Sequence, residues 1–215
     1  MKKEHNITTL FLDIGGVLLT DGWNRQLRQL AATTFDLEYK ELDDRHRLTF
    51  DTYEVGKISL HEYLERVVFY EKRSFTFQEF KEFMFARSAP FPEMIQLIYQ
   101  LKKRYGLKVA VVSNEGRELT EHRINKFKLY EFVDFFISSC FVHLRKPDVD
   151  IFQLALDIAQ IPSKQVVYIE DRPMFVQVAE GLGINGIHHL DFKSTVVKLN
   201  SFGLKITGDS HDEII

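Results

Sequence analysis

The sequence predicts an α/β fold in which helices cover both faces of a parallel sheet and a helical segment is inserted after the first strand. Three observations support this prediction. Five short apolar stretches alternate along the chain with amphipathic stretches of helical length. Residues from about 22 to 88 carry helical patterning and aromatic side chains without a strand signal. Polar residues follow several of the apolar stretches, at the sheet edge where open α/β folds place their sites.

The predicted strands are short apolar runs, and the first four end in polar residues. They are Thr8–Asp13, Leu107–Asn114, Val133–Ser138, Gln165–Asp171 and Gly186–Leu190. Since a helical stretch separates each strand from the next, the connections are crossovers and the sheet is parallel, with helices on both faces.

The inserted segment is predicted from its helical periodicity and its start signals. A first helix runs over Asn24–Phe35, with one apolar face made of Leu27, Leu30, Ala31 and Phe35. Capping boxes at Ser59–Glu62 and Thr76–Glu79 start two further helices, the first ending near Tyr70. Prolines 90 and 92 mark the return to the sheet.

The remaining helices follow the later strands. They are predicted over Pro92–Gly106, Arg117–Lys128, Asp148–Gln160 and Pro173–Gly183, and the third buries Ile151, Leu154, Ala155 and Ile158. The predicted organisation is a core of residues 1–21 and 89–205, a helical domain of residues 22–88, and a polar tail of residues 206–215 that frays.

Composition narrows the class of protein. The chain has 215 residues, 45% hydrophobic and 27% charged, with a formal net charge of −3. This balance is typical of a globular protein and gives no reason to expect nucleic acid or a membrane as partner. Cys140 is the single cysteine and lies in an apolar run, which favours an inert core thiol and a reducing, cytoplasmic compartment. The apolar run after Met1–Asn6 is too short for a signal peptide.

Four groups of polar residues follow strands or precede helices: Asp13, Ser113 with Asn114, Lys146, and Glu170 with Asp171. Because the carboxyl ends of parallel strands meet at one edge of a sheet, these side chains are expected to share one site. Each alone has a structural interpretation, as a turn former, a helix cap or an exposed lysine before a proline.

Taken in order, these motifs resemble those of the haloacid dehalogenase (HAD) superfamily. Asp13 in LDIGGVL resembles motif I, Ser113 in VVSN motif II, Lys146 in RKPD motif III and Glu170-Asp171 in YIEDRP motif IV. The resemblance spans nearly the whole chain. It implies a Rossmann-like three-layer core with a type 1 cap, and the epoxide-hydrolase-like, sugar-phosphatase-like branch of subfamily IA.

The resemblance also implies a chemistry, that of a Mg²⁺-dependent phosphatase acting on a small phosphorylated molecule. Asp13 would be the nucleophile that forms an aspartyl phosphate. Mg²⁺ would be held by Asp13, the backbone carbonyl of Gly15 and Asp171, with Glu170 binding through water.

The phosphate group would be bound by a second set of groups, which neutralise its charge and donate hydrogen bonds to its oxygens. These are Lys146, Ser113, Asn114 and the backbone of Gly15 and Gly16. The inserted segment would be the cap that covers a small substrate. Its charged run 43–47 and Tyr53 are candidate specificity residues, although a charged run is more often a solvated face. Trp23 is expected either to pack or to touch the substrate.

Two positions depart from the family pattern. Gly15 stands where phosphatases of the family carry a second aspartate, the acid that protonates the leaving alcohol. This departure has three alternative consequences. The substrate has an acidic leaving group such as that of a sugar 1-phosphate, which needs little protonation. Otherwise another group, near Asp21, donates the proton, or the activity is weak. Phe175 stands where a polar residue usually supports the metal site, which predicts weaker metal binding.

Two alternative functions stay open. A 2-haloacid dehalogenase also lacks the second aspartate, but it binds no metal and has no acidic pair like Glu170-Asp171. A non-catalytic binding module would fit Gly15 and Phe175, but it would not need Asp13 and Lys146. The phosphatase is the favoured interpretation, and the substrate and the choice between monomer and homodimer are left undetermined.

Overall fold

The computed structural model describes residues 7–206, so residues 1–6 and all but the first residue of the predicted polar tail 206–215 lie outside the described part of the chain. Five strands form one parallel sheet in the order β3-β2-β1-β4-β5. They are β1 Thr9–Leu12, β2 Lys108–Ser113, β3 Phe135–Ser138, β4 Val166–Glu170 and β5 Asn185–His188. The predicted α/β class is therefore confirmed, with small shifts at the ends of strands.

Ten α-helices and two short 3₁₀ helices (Leu129–Glu131 and Ser163–Gln165) occur in the described residues. The α-helices that precede β2 are α1 Arg25–Thr34, α2 Tyr39–Glu54, α3 Leu60–Val67, α4 Phe77–Ala86 and α5 Pro92–Tyr105. Those that follow are α6 Arg117–Lys126, α7 Ser139–Val142, α8 Val149–Ala159, α9 Pro173–Gly181 and α10 Phe192–Ser201.

The helix starts follow the predicted signals. Ser59 and Thr76 each accept a hydrogen bond from the backbone N–H of the glutamate three residues later, and that glutamate side chain accepts from the cap residue in return. Pro92 is the first residue of α5, and this helix ends at Gly106, whose φ of 65° is left-handed.

Helices pack on both faces of the sheet and make a three-layer core. Along β1 the side chains alternate, so that Leu10 and Leu12 join one apolar cluster while Phe11 joins the other. The first cluster contains the inner face of α5: Met94, Leu97, Ile98 and Leu101. The second contains that of α8: Ile151, Phe152, Ala155 and Ala159. Helices α1–α4 bury a third, separate cluster that is rich in aromatic residues.

One side chain joins the two segments that connect α1–α4 to the sheet. Arg123 of α6 is 1% exposed. Its Nη2 donates to the carbonyl oxygen of Thr20 at 2.8 Å, and its Nε donates to Ser88 Oγ at 3.0 Å. The outgoing and returning segments also pair directly, since the Thr20 N–H donates to the Ala89 carbonyl at 2.8 Å.

Several local predictions were wrong. Leu30 is 43% exposed and Ile158 is 50% exposed, although both were assigned to buried faces. In α8 the buried residues include Phe152 and Ala159 instead of Ile158, so the buried face lies about one residue position away from the predicted one. The sequence patterns do not predict α2 or α10 as separate helices.

Cys140 is fully buried, as predicted, and burial raises its pKa to about 11. Within residues 7–206, every helix is too short or too polar to cross a bilayer.

Candidate active site

The strand register brings the predicted site residues together. β1 is the central strand, and its last residue Leu12 lies opposite Val111 of β2 and Ile169 of β4. Asp13, Ser113 and Glu170 therefore lie next to one another at the carboxyl ends of β1, β2 and β4. The Asp13 N–H continues the ladder by donating to the Ile169 carbonyl at 3.0 Å.

Asp13 is 8% exposed and lies at the centre of the site. Its Oδ1 accepts from the backbone N–H of Ile14 at 2.8 Å and lies 3.2 Å from Lys146 Nζ, and Ser113 donates a side-chain hydrogen bond to the same carboxylate. Burial raises its pKa, with a further contribution from Glu170, against the opposing effect of Lys146. The protein thus holds a buried carboxylate whose charge is only partly compensated.

Lys146 lies between two carboxylates and is 1% exposed. Besides Asp13, its Nζ contacts Glu170 Oε2 at 2.6 Å and the Tyr168 hydroxyl at 3.1 Å. Burial alone would lower the pKa of this lysine, but the two carboxylates outweigh burial and raise it. The ammonium group is therefore charged at neutral pH and directed at Asp13.

Asn114 fixes the backbone from which Lys146 extends. Its side-chain Nδ2 donates to the Lys146 carbonyl at 2.8 Å, and its Oδ1 accepts from the Lys146 N–H at 2.9 Å. Both ends of the amide are thus engaged with the lysine backbone. The role as a phosphate ligand stays a prediction, and the structure adds a positioning role for this side chain.

Three carboxylates meet at this edge. One oxygen from each of Asp13, Glu170 and Asp171 lies within 4.8 Å of the others. Burial is the largest cause of a raised pKa at all three, and the only cation in direct contact among the described residues is Lys146. An excess of buried negative charge of this kind is stabilised by a divalent cation with oxygen ligands.

Gly16 is required by the same cluster. Its φ is +71°, and a Cβ on this residue would lie 2.5 Å from Asp171 Oδ2. Any side chain would therefore displace the Asp171 carboxylate and strain the backbone. The acidic cluster and the glycine next to it fit a divalent cation, and Asp13 and Asp171 are less deeply buried than Glu170.

Tyr168 belongs to the site but was not predicted. Its hydroxyl donates to Glu170 Oε2 in a short hydrogen bond and contacts Lys146 Nζ. The signal was present in the sequence, because Tyr168 and Glu170 are two residues apart on one strand and point to the same face. A lone tyrosine in an apolar strand, however, usually indicates core packing.

Phe175 occupies the position where a polar residue was expected. Its ring is 6% exposed and lines the cavity, with its centroid 5.2 Å from Lys146 Nζ. The ring therefore covers the lysine with an aromatic face that attracts a cation, rather than hydrogen bonding to the acidic cluster.

A cavity lies above Asp13 and is lined by residues of the sheet edge and of the helical segment. The helical segment contributes Trp23, Phe50 and Glu54, and the sheet edge contributes Glu115 and Arg145. None of these residues except Trp23 was singled out from the sequence, since they lie on helices and loops without a motif.

Two of these carboxylates are ion-paired with arginines. Glu54 Oε2 lies 2.6 Å from Arg145 Nη2, and Glu115 Oε2 lies 3.0 Å from Arg123 Nη1. Burial raises the pKa of Glu54, and it raises that of Glu115 to about 7 against the effect of Arg123. Arg145, beside Lys146 in sequence, thus connects the sheet edge to α2.

The charged run of α2 has a different role from the expected one. Asp43 and His46 are buried within the helical cluster, where Arg28 and Tyr63 bind them. Tyr53 is also buried and stacks on Tyr63 with ring centroids 4.9 Å apart. The residues of α2 that reach the cavity are Phe50 and Glu54 instead.

Trp23 both packs and faces the cavity. It is 5% exposed, its indole Nε1 donates to the Tyr63 hydroxyl at 2.8 Å, and its ring meets Phe80 edge-on at 5.8 Å. The Tyr63 hydroxyl in turn contacts His46 Nδ1 at 2.8 Å. A chain of buried polar groups therefore fixes the one indole of the protein at the wall of the cavity.

Known proteins share this architecture. A crystal structure of a HAD family enzyme from Bacteroides thetaiotaomicron, in complex with magnesium and inorganic phosphate, superimposes with a TM-score of 0.73 at 20% identity, covering 88% of this chain and 98% of that one. An L-2-haloacid dehalogenase from Xanthobacter autotrophicus, with chloropropionic acid covalently bound, gives a TM-score of 0.60 at 15% identity, covering 91% and 83%. At these identities the likeness shows the fold.

Curated relatives match parts of the chain. Bifunctional epoxide hydrolase 2 of Rattus norvegicus is 29% identical over 138 residues, which are 62% of this chain and 24% of that protein. The chain spans from about a tenth to about half the length of the curated relatives that it matches. The model of the haloacid dehalogenase-like hydrolases matches residues 7–183, which include Asp13, Ser113, Lys146 and the Glu170-Asp171 pair. Both the sheet and this match confirm the predicted resemblance to the superfamily, while the subfamily and branch stay predictions, and the chain belongs to the haloacid dehalogenase-like hydrolase family.

Proposed function

We propose that the protein is a Mg²⁺-dependent phosphatase that hydrolyses a small phosphomonoester through an aspartyl phosphate on Asp13. The observation that carries the proposal is the contact between Asp13 and Lys146, beside a buried acidic cluster of which Asp13 is a member. A nucleophilic carboxylate, a fixed cation and an oxygen-rich metal site are the parts that phosphoryl transfer requires.

In the proposed first step an Asp13 carboxylate oxygen attacks phosphorus, a phosphorus–oxygen bond forms, and the bond to the leaving alcohol breaks. Lys146 stabilises the charge on the phosphoryl oxygens, and the Ser113 hydroxyl, which contacts the carboxylate in this structure, donates to one of them. In the second step water attacks phosphorus, which releases phosphate and regenerates the Asp13 carboxylate.

Asp13, Asp171 and the backbone carbonyl of Gly15 would hold the ion, and Glu170 would bind one of its waters. The bound ion would offset the negative charges of the phosphate and of the acidic cluster, which otherwise repel each other. The structural neighbour from Bacteroides thetaiotaomicron binds magnesium and inorganic phosphate, and we expect the same ligands here.

Residues 22–88 would act as the cap over this site. Trp23, Phe50 and Glu54 reach the cavity from this segment, so they would contact the part of the substrate beyond the phosphate and exclude water from the reaction. Aromatic faces beside carboxylates suit a small molecule with hydroxyl groups. A sugar phosphate, such as a sugar 1-phosphate, is the substrate that we expect.

The test is phosphate release from a panel of sugar phosphates, nucleotides and phospho-acids, with Mg²⁺ and with a chelator. The proposal expects release that needs both Mg²⁺ and the Asp13 carboxylate, so that Asp13→Asn is inactive. Release that persists in Asp13→Asn, or that ignores the chelator, would contradict it.

A dehalogenase activity is the second candidate, because Gly15 supplies no acid and carbon–halogen cleavage needs none. The measurement is chloride release from 2-chloropropionate in the presence of a chelator. The acidic pair Glu170-Asp171 supports the phosphatase, since a metal-free reaction has no use for it. A protein that releases neither phosphate nor chloride would instead be a binding module.

A further inference from the structure

The proposed phosphatase lacks a side chain at the position from which its family protonates the leaving alcohol. Gly15 has a backbone carbonyl to offer but no acid. Expulsion of an alkoxide without a proton is slow, and general acid catalysis is typically worth about 10²–10⁴-fold. The structure shows which carboxylate lies next to this vacant side-chain position.

The chain folds back after Gly15 in a tight turn. The Gly16 N–H donates to the Leu19 carbonyl at 2.8 Å, and the Leu19 N–H donates to the Ile14 carbonyl at 2.9 Å. This turn returns the chain to Gly15 six residues later. A Cβ built on Gly15 would lie 3.4 Å from Asp21 Oδ1, which is ordinary van der Waals contact. The carboxylate of Asp21 is therefore beside the vacant side-chain position.

Asn24 holds the Asp21 carboxylate in this place. The side-chain Nδ2 of Asn24 donates to Asp21 Oδ2 at 3.0 Å, while its Oδ1 caps α1 by accepting from the Leu27 N–H at 2.9 Å. The hydrogen bond uses Oδ2, and it is Oδ1 that lies next to Gly15. Asp21, Gly15 and Asp13 all line the same cavity.

The other acidic residues of the cavity wall have different partners. Glu54 is ion-paired with Arg145, and Glu115 is ion-paired with Arg123. The partner of Asp21 is instead a neutral amide.

We propose that Asp21 is the proton donor of the reaction, in place of the missing side chain at residue 15, a role that rests on the proposed function. As the bond between phosphorus and the leaving oxygen breaks, that oxygen takes the proton from the Asp21 carboxyl group. The resulting Asp21 carboxylate accepts a proton from the water that attacks the aspartyl phosphate. One turnover thus consumes one water, releases alcohol and phosphate, and restores the protonated Asp21 and the Asp13 carboxylate.

The test compares leaving groups. Asp21→Asn keeps the shape of the side chain but donates no carboxyl proton. Turnover of glycerol 3-phosphate, whose leaving alcohol is weakly acidic, should fall about 10²–10⁴-fold. Turnover of p-nitrophenyl phosphate, whose leaving phenol is acidic, should fall less than about tenfold. Asp157→Asn, an exposed aspartate near the end of α8, is the matched control and should leave both rates unchanged.

A transplanted acid provides a second test. The φ of Gly15 is not left-handed and its Cβ position is in ordinary contact, so an aspartate fits there. In the Asp21→Asn background, Gly15→Asp should restore turnover of glycerol 3-phosphate by at least tenfold while hardly changing that of p-nitrophenyl phosphate. A merely structural role for Asp21 would not give a rescue that depends on the leaving group.

Three results are distinguishable. Equal losses on both substrates, or no loss on either, overturn the role of Asp21 while the phosphatase stands. Wild-type protein that releases no phosphate from these two esters or from any member of the panel described above overturns the proposed function and the inference together. A selective loss with selective rescue supports the proposal.

Discussion

Two regions of this protein bury charged groups, and they do so in opposite ways. In the helical segment, Asp43 accepts from Arg28 at 2.8 Å and from Arg47 at 2.7 Å, through its two oxygens. Burial alone would raise the pKa of Asp43, but these partners outweigh it and lower the pKa. At the sheet edge, Asp13 and Glu170 share one lysine, and burial keeps both pKa values raised.

The difference separates a structural network from a candidate site. In the network around Asp43 the buried carboxylate is paired with an arginine through each of its oxygens, so it needs no ligand to offset its charge. The acidic cluster around Asp13 has an excess of negative charge and faces a cavity, so a cation would stabilise it. Substitutions that change one region at a time test this contrast, and their expected effects differ widely in size.

The largest effect is expected for Asp13→Asn. Phosphatase activity should fall by about 10³-fold or more, since the nucleophile is lost. The melting temperature in a chelator should be unchanged or higher, because the substitution removes one of three carboxylates that repel one another. Calorimetry and phosphate release on the same preparation measure both quantities. A melting temperature several degrees lower would mean that Asp13 serves the fold.

In the helical network the arginines offer a matched pair. Arg28→Met leaves Asp43 buried without its inner partner and should lower the free energy of unfolding by about 3 kcal/mol. Arg47 binds the same carboxylate, but its side chain is 68% exposed, so Arg47→Met should lower it by less than about 1 kcal/mol. Urea denaturation gives both values. Equal losses would show that burial does not decide the strength of these pairs.

Magnesium should stabilise the sheet edge. At about a hundred times its dissociation constant, a ligand that binds only the folded state adds about 2.7 kcal/mol to the free energy of unfolding. Wild-type protein should show this gain, and Asp171→Asn should lose most of it. Asp157→Asn retains the cluster and serves as the control. A gain that survives in Asp171→Asn would place the ion elsewhere.

The smallest effect concerns pH. His46 accepts from the Tyr63 hydroxyl and is neutral, and burial lowers its pKa from 6.5 to about 3. Between these pH values the unfolded chain binds more protons, so acid destabilises the fold. From pH 6.5 to pH 5 the loss is about 1.6 kcal/mol, because the slope rises from half of about 1.36 kcal/mol per pH unit at pH 6.5 to nearly its full value at pH 5.

His46→Gln should lack this part of the pH dependence. The carboxyl groups with raised pKa act in the opposite direction, because their folded forms hold protons that the unfolded chain has released. The difference in slope between wild type and His46→Gln therefore isolates the histidine. Parallel slopes in denaturation curves measured from pH 7.5 to pH 5 would contradict the assignment.

Much of the sheet edge was predictable from sequence because each part has a local signal. A buried strand that ends in a carboxylate and glycines, as at Asp13, limits where the residue can lie, and the parallel order then brings Lys146 and Glu170 beside it. The role of Asn114 could not be predicted, because it depends on the backbone of a loop 32 residues later.

The helical segment was less predictable for a physical reason. The run 43–47 has the charge density of a solvated face, yet Asp43 and His46 are buried because Arg28 and Tyr63 supply partners from other helices. Periodicity records only apolar positions, so it cannot distinguish an exposed charge from one paired inside. The same lack of tertiary information led to the wrong assignment of Leu30 to a buried face.

The hydrogen bonds of Arg123 have a mechanical consequence. Because a single guanidinium group binds Thr20 on the way into the helical segment and Ser88 on the way out, the two chain crossings cannot slide past each other independently. A movement of the helices relative to the sheet would have to carry this guanidinium along or break one of these two hydrogen bonds. Glu115 binds the same guanidinium and lines the cavity, so this junction is connected directly to the candidate site.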